Sequence, residues 1–236
     1  MGPYRDVNKM TTTRLSTGVQ ALDDLLGGGL EPRVITQIYG GPASGKSVLC
    51  VLASVSCLKE GKSVIFIDTE GFSIERFRQV AGEHAERLAD HLFLYEPHDF
   101  DQQGLVIKGL DRPLSRGGIG LIVMDSSTGL YRTTLEKGHD AMQNLSRQMV
   151  HLLGYAKRYE IPVLITNQVY MDVQKNTFVG LGGTALAHIS KAIIRIDLLN
   201  RHRKATLEKH RSIAPGRYFE FDIVESGIVV RKADAI

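Results

Sequence analysis

Eight consecutive residues have the types and the spacing needed to bind the phosphates of a nucleotide. Gly40 to Ser47 reads Gly-Gly-Pro-Ala-Ser-Gly-Lys-Ser, which satisfies the pattern G-x-x-x-x-G-K-[ST]. Glycines let backbone amides converge on phosphate oxygens, and a helix that follows directs its positive end at the same anion. We expect Lys46 to bridge the β- and γ-phosphates and the Ser47 hydroxyl to ligate Mg²⁺. The predicted ATP-binding residues are Gly40, Gly41, Pro42, Ala43, Ser44, Gly45, Lys46, Ser47 and Val48.

Three other polar side chains follow predicted strands. Asp125 ends the apolar run 121–124 and is a candidate Mg²⁺ ligand together with Ser47. Glu70 and Gln168 follow two further strands, and ligands of open α/β sheets bind outside the carboxyl ends of the strands. Glu70 is therefore a candidate to polarise an attacking water, and Gln168 to report the γ-phosphate. The alternative for both is a solvated polar residue at a strand end.

The elements that position these residues alternate along the chain. Apolar strands are predicted at 34–39, 63–68, 92–95, 119–124 and 162–166. Helices are predicted at 19–26, 46–59, after the strand at 63–68 through about residue 89, 101–110 and 141–159. Strands that are apolar throughout indicate a mostly parallel sheet covered by helices on both faces. Four short strands at 192–198, 203–208, 218–224 and 228–231 predict an antiparallel C-terminal extension of the same sheet. The fold class is therefore α/β.

The composition is that of an ordinary globular protein. The 236 residues are 43% hydrophobic and 23% charged, which excludes global disorder. No run of eighteen apolar residues suggests a membrane span, and the N-terminus lacks the apolar segment of a secretory signal. We expect a flexible leader over residues 1–13 and one domain over 14–236. Cys50 and Cys57 lie on one face of a predicted helix as buried apolar residues, which favours a reducing, cytoplasmic setting.

These motifs resemble the ATPase core of the RecA/RadA recombinase family. The resemblance covers the chain from about residue 14 to its end and is carried by residues 67–71, 124–132, 165–169 and 182–188. It implies a RecA-type P-loop fold. It also implies that Glu70 is the catalytic carboxylate and that Gln168 is the switch connecting the γ-phosphate to a DNA-binding loop.

Two departures from that family bear on function. Only about a dozen residues precede Leu15, so we expect no counterpart of the helical DNA-binding domain found in RadA. This leader contains no phenylalanine, so the Phe-x-x-Ala tether that links recombinase protomers has no counterpart either. The chain therefore looks most similar to the core-only archaeal paralogue of RadA.

That resemblance implies a nucleoid-associated mediator of DNA repair and homologous recombination. Such a protein binds ATP, Mg²⁺ and single-stranded or branched DNA, has weak ATPase activity, and performs no robust strand exchange of its own. RadA or a junction nuclease is the expected protein partner. Two alternatives stay open: a DNA-stimulated, recombinase-like ATPase, and a KaiC-like regulatory ATPase without a DNA role.

Candidate DNA-binding residues lie in a basic segment and in two loops. Residues 201–217 contain six Lys or Arg and one acid, a concentration that favours phosphate binding, although lysines also protect edge strands. The first loop is expected at 133–140 and the second at 170–183. The candidate DNA contacts are Arg132, Lys137, Lys175, Arg201, Arg203 and Lys204.

The Lys-x-Arg pattern of Lys209 and Arg211 suggests a narrower role. It resembles an element by which KaiC-type proteins reach the γ-phosphate of a neighbouring subunit. Strand alternation would place both side chains on one side of the chain, where they could act as cationic fingers. This hypothesis requires weak self-association or a partner ATPase.

Overall fold

Apolar segments and glycine-rich turns alternate along the chain and form a layered α/β structure in the computed structural model, which describes residues 13–172, 177–200 and 202–231. The strands are β1 (Ile35–Gly40), β2 (Ser63–Asp68), β3 (Leu92–Tyr95), β4 (Ile119–Asp125), β5 (Val163–Asn167), β6 (Val169–Asp172), β7 (Thr177–Gly180), β8 (Ser190–Leu199), β9 (His202–Lys209), β10 (Tyr218–Val224) and β11 (Gly227–Val230). The helices are α1 (Gln20–Leu26), α2 (Lys46–Lys59), α3 (Ile74–Ala81), α4 (Ala85–Ala89), α5 (Phe100–Gly109), α6 (Asp111–Ser115), α7 (His139–Tyr159) and α8 (Gly183–Ile189).

Nine of these strands form one sheet in the order β11-β10-β9-β8-β1-β5-β4-β2-β3. Strand β1 pairs in parallel with both β5 and β8, so its carboxyl end lies near the centre of the sheet. The predicted antiparallel extension is confirmed for β9, β10 and β11. It was wrong for the first tail strand, because β8 continues the parallel sheet beside β1 before the chain reverses into β9.

Two apolar layers enclose this sheet. Alternate residues of the central strands contribute to each layer: Ile38 and Phe66 pack with α2 on one side, and Ile35 and Ile65 pack on the other. The second layer is closed by α7, which buries Leu145, Met149, Leu152 and Ala156 at helical spacing. Cys50 and Cys57 of α2 are fully buried free thiols, which confirms the prediction that they serve as apolar residues.

The segment after β2 differs from the single helix that we predict from the sequence. Gly82 adopts φ 65° and ends α3, and a short 3₁₀ turn at 82–84 separates α3 from α4. Left-handed φ values are readily available to glycine and interrupt the helical hydrogen-bond ladder. None of the helices in the described part of the chain is long and apolar enough to cross a bilayer.

Both predicted loops are more regular than expected. Residues 131–137 form a 3₁₀ helix that leads into α7. The segment predicted as the second loop contains a two-stranded hairpin in which Val169 pairs with Gly180 and Asp172 pairs with Thr177, and α8 begins directly after it. The hairpin was missed because its pairing is local and antiparallel, whereas the preceding pattern alternates strands with helices.

Candidate functional site

The glycine-rich loop joins the carboxyl end of β1 to the first turn of α2. Ala43 (φ 58°) and Gly45 (φ 100°) adopt left-handed conformations within it. Alternation between left- and right-handed residues turns successive amides towards one point, which forms an anion-binding concavity at the positive end of α2. The Lys46 ammonium folds back over this concavity and donates to the carbonyl oxygens of Gly40 and Gly41 at 3.0 and 2.9 Å.

The fit of a triphosphate to this loop can be tested on its glycines and on one buried hydroxyl. A Cβ on Gly41 would meet no atom within 4 Å, so the space in front of the loop is open. A Cβ on Gly40 would lie 2.4 Å from the carbonyl oxygen of Ile196, so the back of the loop is closed by β8. The Ser44 hydroxyl is buried and lacks a hydrogen-bond partner within the described residues. The loop is therefore open beside Gly41 and closed by β8 beside Gly40, which leaves room for a phosphate in front of it.

Asp125 ends β4 next to this loop and is almost completely buried. Its carboxylate accepts hydrogen bonds from the hydroxyls of Thr166 and Ser47. Burial raises the pKa of Asp125, and these two hydrogen bonds partly oppose that shift. Burial likewise lowers the pKa of Lys46, whereas the neighbouring Asp125 and Glu70 raise it. A hydroxyl beside a carboxylate offers the hard oxygen ligands that Mg²⁺ prefers, so Ser47 and Asp125 fit that ion.

Glu70 lies immediately after β2, across the cavity from the loop. Its Oε1 atom accepts two hydrogen bonds of 2.6 Å, one from the Ser126 hydroxyl and one from the Gln168 side-chain amide. Thr69 strengthens this junction, because its hydroxyl donates to the carbonyl oxygen of Ser126 and accepts from the Ser126 amide. A Cβ on Gly129 would lie 2.8 Å from Glu70 Oε1, so only glycine leaves room for this arrangement.

A buried polar chain continues from Gln168 towards the hairpin and α8. The Gln168 backbone amide donates to the Thr128 hydroxyl at 3.0 Å, and that hydroxyl donates to Asn167 Oδ1 at 2.7 Å. Asn167 in turn donates to the carbonyl oxygen of Leu181 at 2.7 Å, and the Leu181 amide returns to the Gln168 carbonyl. Neighbouring Gly180 has no room for a Cβ beside Asn167 Nδ2. The end of β5 beside Gln168 is therefore hydrogen-bonded to Leu181, which follows the hairpin.

These elements surround one cavity of about 250 Å³. Its lining residues are Gly40, Pro42, Ala43, Lys46, Ser47, Glu70, Asp125, Arg132, Gln168 and Val169. The structure thus brings together the candidates for phosphate binding, metal binding and water activation, which the sequence separates by up to 128 positions. It also places Arg132, which we consider above as a DNA contact, on the wall of this cavity.

The basic segment at 201–217 does not form one surface. Arg203 and Lys204 lie at the start of β9, on the same sheet edge as the glycine-rich loop, whereas Lys209 ends that strand. Arg203 and Lys209 are six residue steps apart along β9, which is roughly 20 Å at about 3.3 Å per residue. The Lys204 ammonium lies 3.7 Å from the ring centre of Tyr218, as in a cation–π contact. The predicted cluster is therefore divided between opposite edges of the sheet.

Lys209 and Arg211 lie at the edge away from their own glycine-rich loop. The Lys209 ammonium donates to the carbonyl oxygen of Ala187 at 2.6 Å, and Arg211 forms an ion pair with Glu31. The prediction that strand alternation places both side chains on one side was wrong for Arg211, because β9 ends at Lys209 and Arg211 lies in the following bend.

Several other candidates have a limited description. The flexible leader is predicted over residues 1–13, and residues 1–12 lie outside the described part of the chain. Lys175 and Arg201 also lie outside it. Lys137 is placed by its backbone at the end of the 3₁₀ helix at 131–137.

Four polar residues that hold the site together were not predicted from the sequence. Ser126 and Thr128 follow Asp125, while Thr166 and Asn167 precede Gln168, and all four are buried. Their signal was a run of polar residues directly at the carboxyl ends of two apolar strands. A buried polar group requires a hydrogen-bond partner, so such runs indicate a shared network at the sheet edge.

Known proteins resemble this chain over nearly its whole length. The Rad51 family model matches residues 8–229. The DNA repair and recombination protein RadB of Methanoculleus marisnigri is 59% identical over 221 residues, covering 93% of this chain and 99% of the relative. The RadB protein of Archaeoglobus fulgidus is 40% identical, covering 91% of this chain and 97% of the relative.

A solved structure agrees with these relatives. The crystal structure of the RadB recombinase superposes with a TM-score of 0.79 at 39% identity, covering 91% of this chain and 98% of that one. The mostly parallel sheet with an antiparallel C-terminal extension is thereby confirmed as a RecA-like fold. The chain belongs to the Rad51 family, and within it to the RadB proteins.

Proposed function

We propose that this protein is an ATP-switched, DNA-binding mediator of DNA repair and recombination with weak ATPase activity. The proposal rests on the position of Glu70 in the cavity beside the glycine-rich loop. Its Oε1 atom accepts hydrogen bonds from the Ser126 hydroxyl and the Gln168 side-chain amide. The relatives named DNA repair and recombination protein RadB support the biological setting. Weak turnover without robust strand exchange is proposed from the resemblance to core-only paralogues.

Nucleotide binding is assigned to the loop and to α2. The amides of residues 45–47 and the Lys46 ammonium bind the phosphates, and Ser47 with Asp125 would hold Mg²⁺. The metal ion, when bound, neutralises phosphate charge. Glu70 lies across the same cavity, where its carboxylate orients a water molecule for attack.

The switch is assigned to Gln168. Its side-chain amide donates a hydrogen bond to Glu70, and its backbone forms hydrogen bonds with the Thr128 hydroxyl and the Leu181 amide. A γ-phosphate that competes for the Gln168 amide would release it from Glu70 and would shift the strand end that leads into the hairpin. The hairpin and its connecting residues 173–176 correspond to the predicted second DNA loop, which carries Lys175. ATP would thereby change the affinity for DNA.

DNA binding is assigned to the sheet edge that holds the loop. Half-buried Lys204 lies at that edge, near the start of β9. The other proposed contacts are Arg132, Lys137, Lys175 and Arg201. Phosphate contacts of this kind are independent of sequence and weaken steeply with salt. Single-stranded or branched DNA is the proposed ligand, and RadA or a junction nuclease is the proposed protein partner.

The proposal is tested by steady-state ATP hydrolysis with and without single-stranded DNA, combined with DNA-binding titrations at several salt concentrations. Glu70→Gln is the matched variant, because it preserves the size of the side chain and removes the carboxylate. We expect slow turnover that DNA changes less than twofold, and DNA affinity that falls steeply with salt. Strong stimulation by DNA that Glu70→Gln abolishes would contradict the mediator and indicate an active recombinase-like ATPase.

A role for Lys209 and Arg211 in trans depends on weak self-association or on a partner ATPase. Both lie at the sheet edge opposite their own loop, so they can reach only the nucleotide of another subunit. Arg211→Ala should then lower ATP turnover at high protein concentration and leave it unchanged at low concentration. Equal turnover by this variant and the wild type at every concentration would remove the trans role.

A further inference from the structure

Arg203 contacts the glycine-rich loop from a strand far along the chain. It is the second residue of β9, where its backbone pairs with Leu198 of β8 and with Phe221 of β10. Its Nη2 atom donates to the carbonyl oxygen of Ala43 across 3.4 Å. The two residues are 160 positions apart. A cation from the C-terminal part of the sheet therefore contacts the middle of the loop.

This contact bears on the conformation that the loop needs for binding phosphate. Ala43 adopts φ 58°, which residues with a Cβ rarely adopt. The carbonyl and amide of one peptide group point in opposite directions. Because Arg203 holds the Ala43 carbonyl, it also fixes the direction of the Ser44 amide, which donates to Gly41 at 3.3 Å. A flipped 43–44 peptide would lose both hydrogen bonds.

The same strands also fix the rest of the loop by close packing. A Cβ on Gly40 would meet the Ile196 carbonyl at 2.4 Å, and a Cβ on Gly45 would meet Ile223 at 3.0 Å. Strands β8, β9 and β10 therefore each contact the loop at a different point. Arg203 supplies the polar contact among them, and this contact acts on Ala43, the left-handed residue of the loop that carries a Cβ.

The charge of Arg203 is directed to the loop as well. No carboxylate in the described ranges forms an ion pair with it, and its buried Nε atom lacks a hydrogen-bond partner there. The adjacent Lys204 differs, because strand alternation places it on the opposite face of β9, over the ring of Tyr218. Of these two neighbouring cations, only Arg203 contacts the loop.

We propose that Arg203 is a positioning residue of the phosphate-binding loop, holding the Ala43–Ser44 peptide in the turn that closes on Gly41 and adding positive charge behind the loop. The inference rests on the proposed binding of Mg·ATP. It reassigns Arg203 from DNA binding to the nucleotide site and leaves Lys204 as the cation at the start of β9 that is available to DNA. Nucleotide affinity should then respond to Arg203 but not to its neighbour.

The experiment compares three variants of the full chain in titrations with mant-ADP and Mg²⁺. Arg203→Gln removes the charge and shortens the reach, so we expect the dissociation constant to rise roughly five- to tenfold, as for a lost charge-assisted hydrogen bond. Arg203→Lys keeps the charge and should recover part of that loss. Lys204→Gln removes an equal charge one residue away and should stay within about twofold of the wild type.

Thermal unfolding separates positioning from general stability. Without nucleotide, we expect Arg203→Gln and Lys204→Gln to unfold within a few degrees of each other, since both lie at the sheet edge. With saturating Mg·ADP, the rise in Tm should be smaller for Arg203→Gln alone. Equal mant-ADP affinity for the two glutamine variants would overturn the role of Arg203. Failure of the wild-type chain to bind mant-ADP would instead refute the proposed nucleotide binding itself, and the inference with it.

Discussion

The Gln168 side-chain amide donates a 2.6 Å hydrogen bond to Glu70 Oε1, joining residues 98 positions apart at the carboxyl ends of two strands. The carboxylate proposed to orient water and the amide proposed to sense the γ-phosphate are thus direct partners. A substitution of either side chain would therefore remove a direct hydrogen-bond partner of the other. This single contact couples the chemistry of the cavity to the segment that follows β5.

The junction around Glu70 depends on a glycine outside the phosphate loop. In Gly129→Ala the new Cβ would lie 2.7 Å from Thr69 Oγ1 and 2.8 Å from Glu70 Oε1, so the carboxylate must move. We expect ATP turnover to fall at least about tenfold, as for misplaced catalytic groups, while mant-ADP affinity changes by less than about threefold. Steady-state hydrolysis and fluorescence titration measure the two quantities.

Gly154→Ala in α7 is the matched control. Its Cβ would meet no atom within 4 Å, and alanine in a helix interior stabilises by roughly 0.5–1 kcal/mol relative to glycine. Turnover by this control should equal that of the wild type. If Gly129→Ala hydrolyses ATP at the wild-type rate as well, then the Glu70 position seen here is not required for turnover.

Thr128 is the central link between Gln168 and Asn167. Thr128→Val keeps the shape of the side chain but leaves Asn167 Oδ1 and the Gln168 amide without this buried partner. Removing one partner of a buried hydrogen bond costs about 1–3 kcal/mol, which urea denaturation should detect in the free energy of unfolding. The effect of ATP on DNA affinity should also decrease.

Thr133→Val provides the comparison for that substitution. Thr133 is exposed, and its hydroxyl donates a hydrogen bond to the nearby Leu130 carbonyl, so we expect a change in the free energy of unfolding within about 0.5 kcal/mol. An equally small loss for Thr128→Val would show that the polar chain contributes little to stability.

Asp125 predicts a dependence of stability on pH. Burial raises the pKa of its carboxyl, so the folded state holds this proton more tightly than the unfolded state. The contribution of the Asp125 carboxyl to the free energy of unfolding is greatest at pH values below its pKa in the unfolded chain. That contribution is lost as the pH rises through the higher pKa of the folded state. At pH 7 the nucleotide-free Asp125→Asn variant should therefore be at least as stable as the wild type, since asparagine carries no buried charge.

The same variant should lose the stabilisation that Mg²⁺ and nucleotide provide together, because asparagine removes the charged ligand. Thermal unfolding between pH 4 and 8, with and without Mg·ADP, measures both effects. The interpretation would fail if Asp125→Asn were less stable without nucleotide and still gained a wild-type increase in Tm from Mg·ADP.

The two thiols report on opening of the α2 layer. Burial raises the pKa of Cys57 to about 12 and raises that of Cys50 well above its ordinary value. The thiolate fraction falls tenfold for each pH unit below the pKa. At pH 8 only about one Cys57 thiol in ten thousand would therefore be ionised in the folded protein. We expect a disulfide reagent to label the native protein at least about a hundredfold more slowly than the urea-unfolded protein. Comparable rates in both states would place α2 outside the stable core.

Much of the fold and of the site follows from local patterns. The glycine spacing predicted the phosphate loop, and α2 begins at Lys46 and ends at Lys59 as its apolar pattern indicates. Strand β2 likewise spans Ser63–Asp68 as predicted. Residues at the carboxyl ends of parallel strands must share one sheet edge, which explains why Glu70, Asp125 and Gln168 could be grouped before their distances were known.

The positions and contacts of the basic residues at 201–217 could not be predicted in this way. Six cations close in sequence suggested one surface, but six residue steps along β9, roughly 20 Å at about 3.3 Å per residue, separate Arg203 from Lys209. Charge counting ignores this separation, and it also ignores partners such as Ala43 and Glu31 that are distant in sequence.

By itself, the sequence determined the alternation of strands and helices, the phosphate loop and the polar residues at strand ends, because these depend on periodicity, glycine conformation and local spacing. The tertiary structure decided that Gln168 bonds to Glu70, that Arg203 holds the loop, and that Lys209 and Arg211 lie at the opposite edge. These relationships depend on strand order and register, which are set by packing among residues that lie from tens of positions to more than a hundred positions apart and leave no short-range pattern.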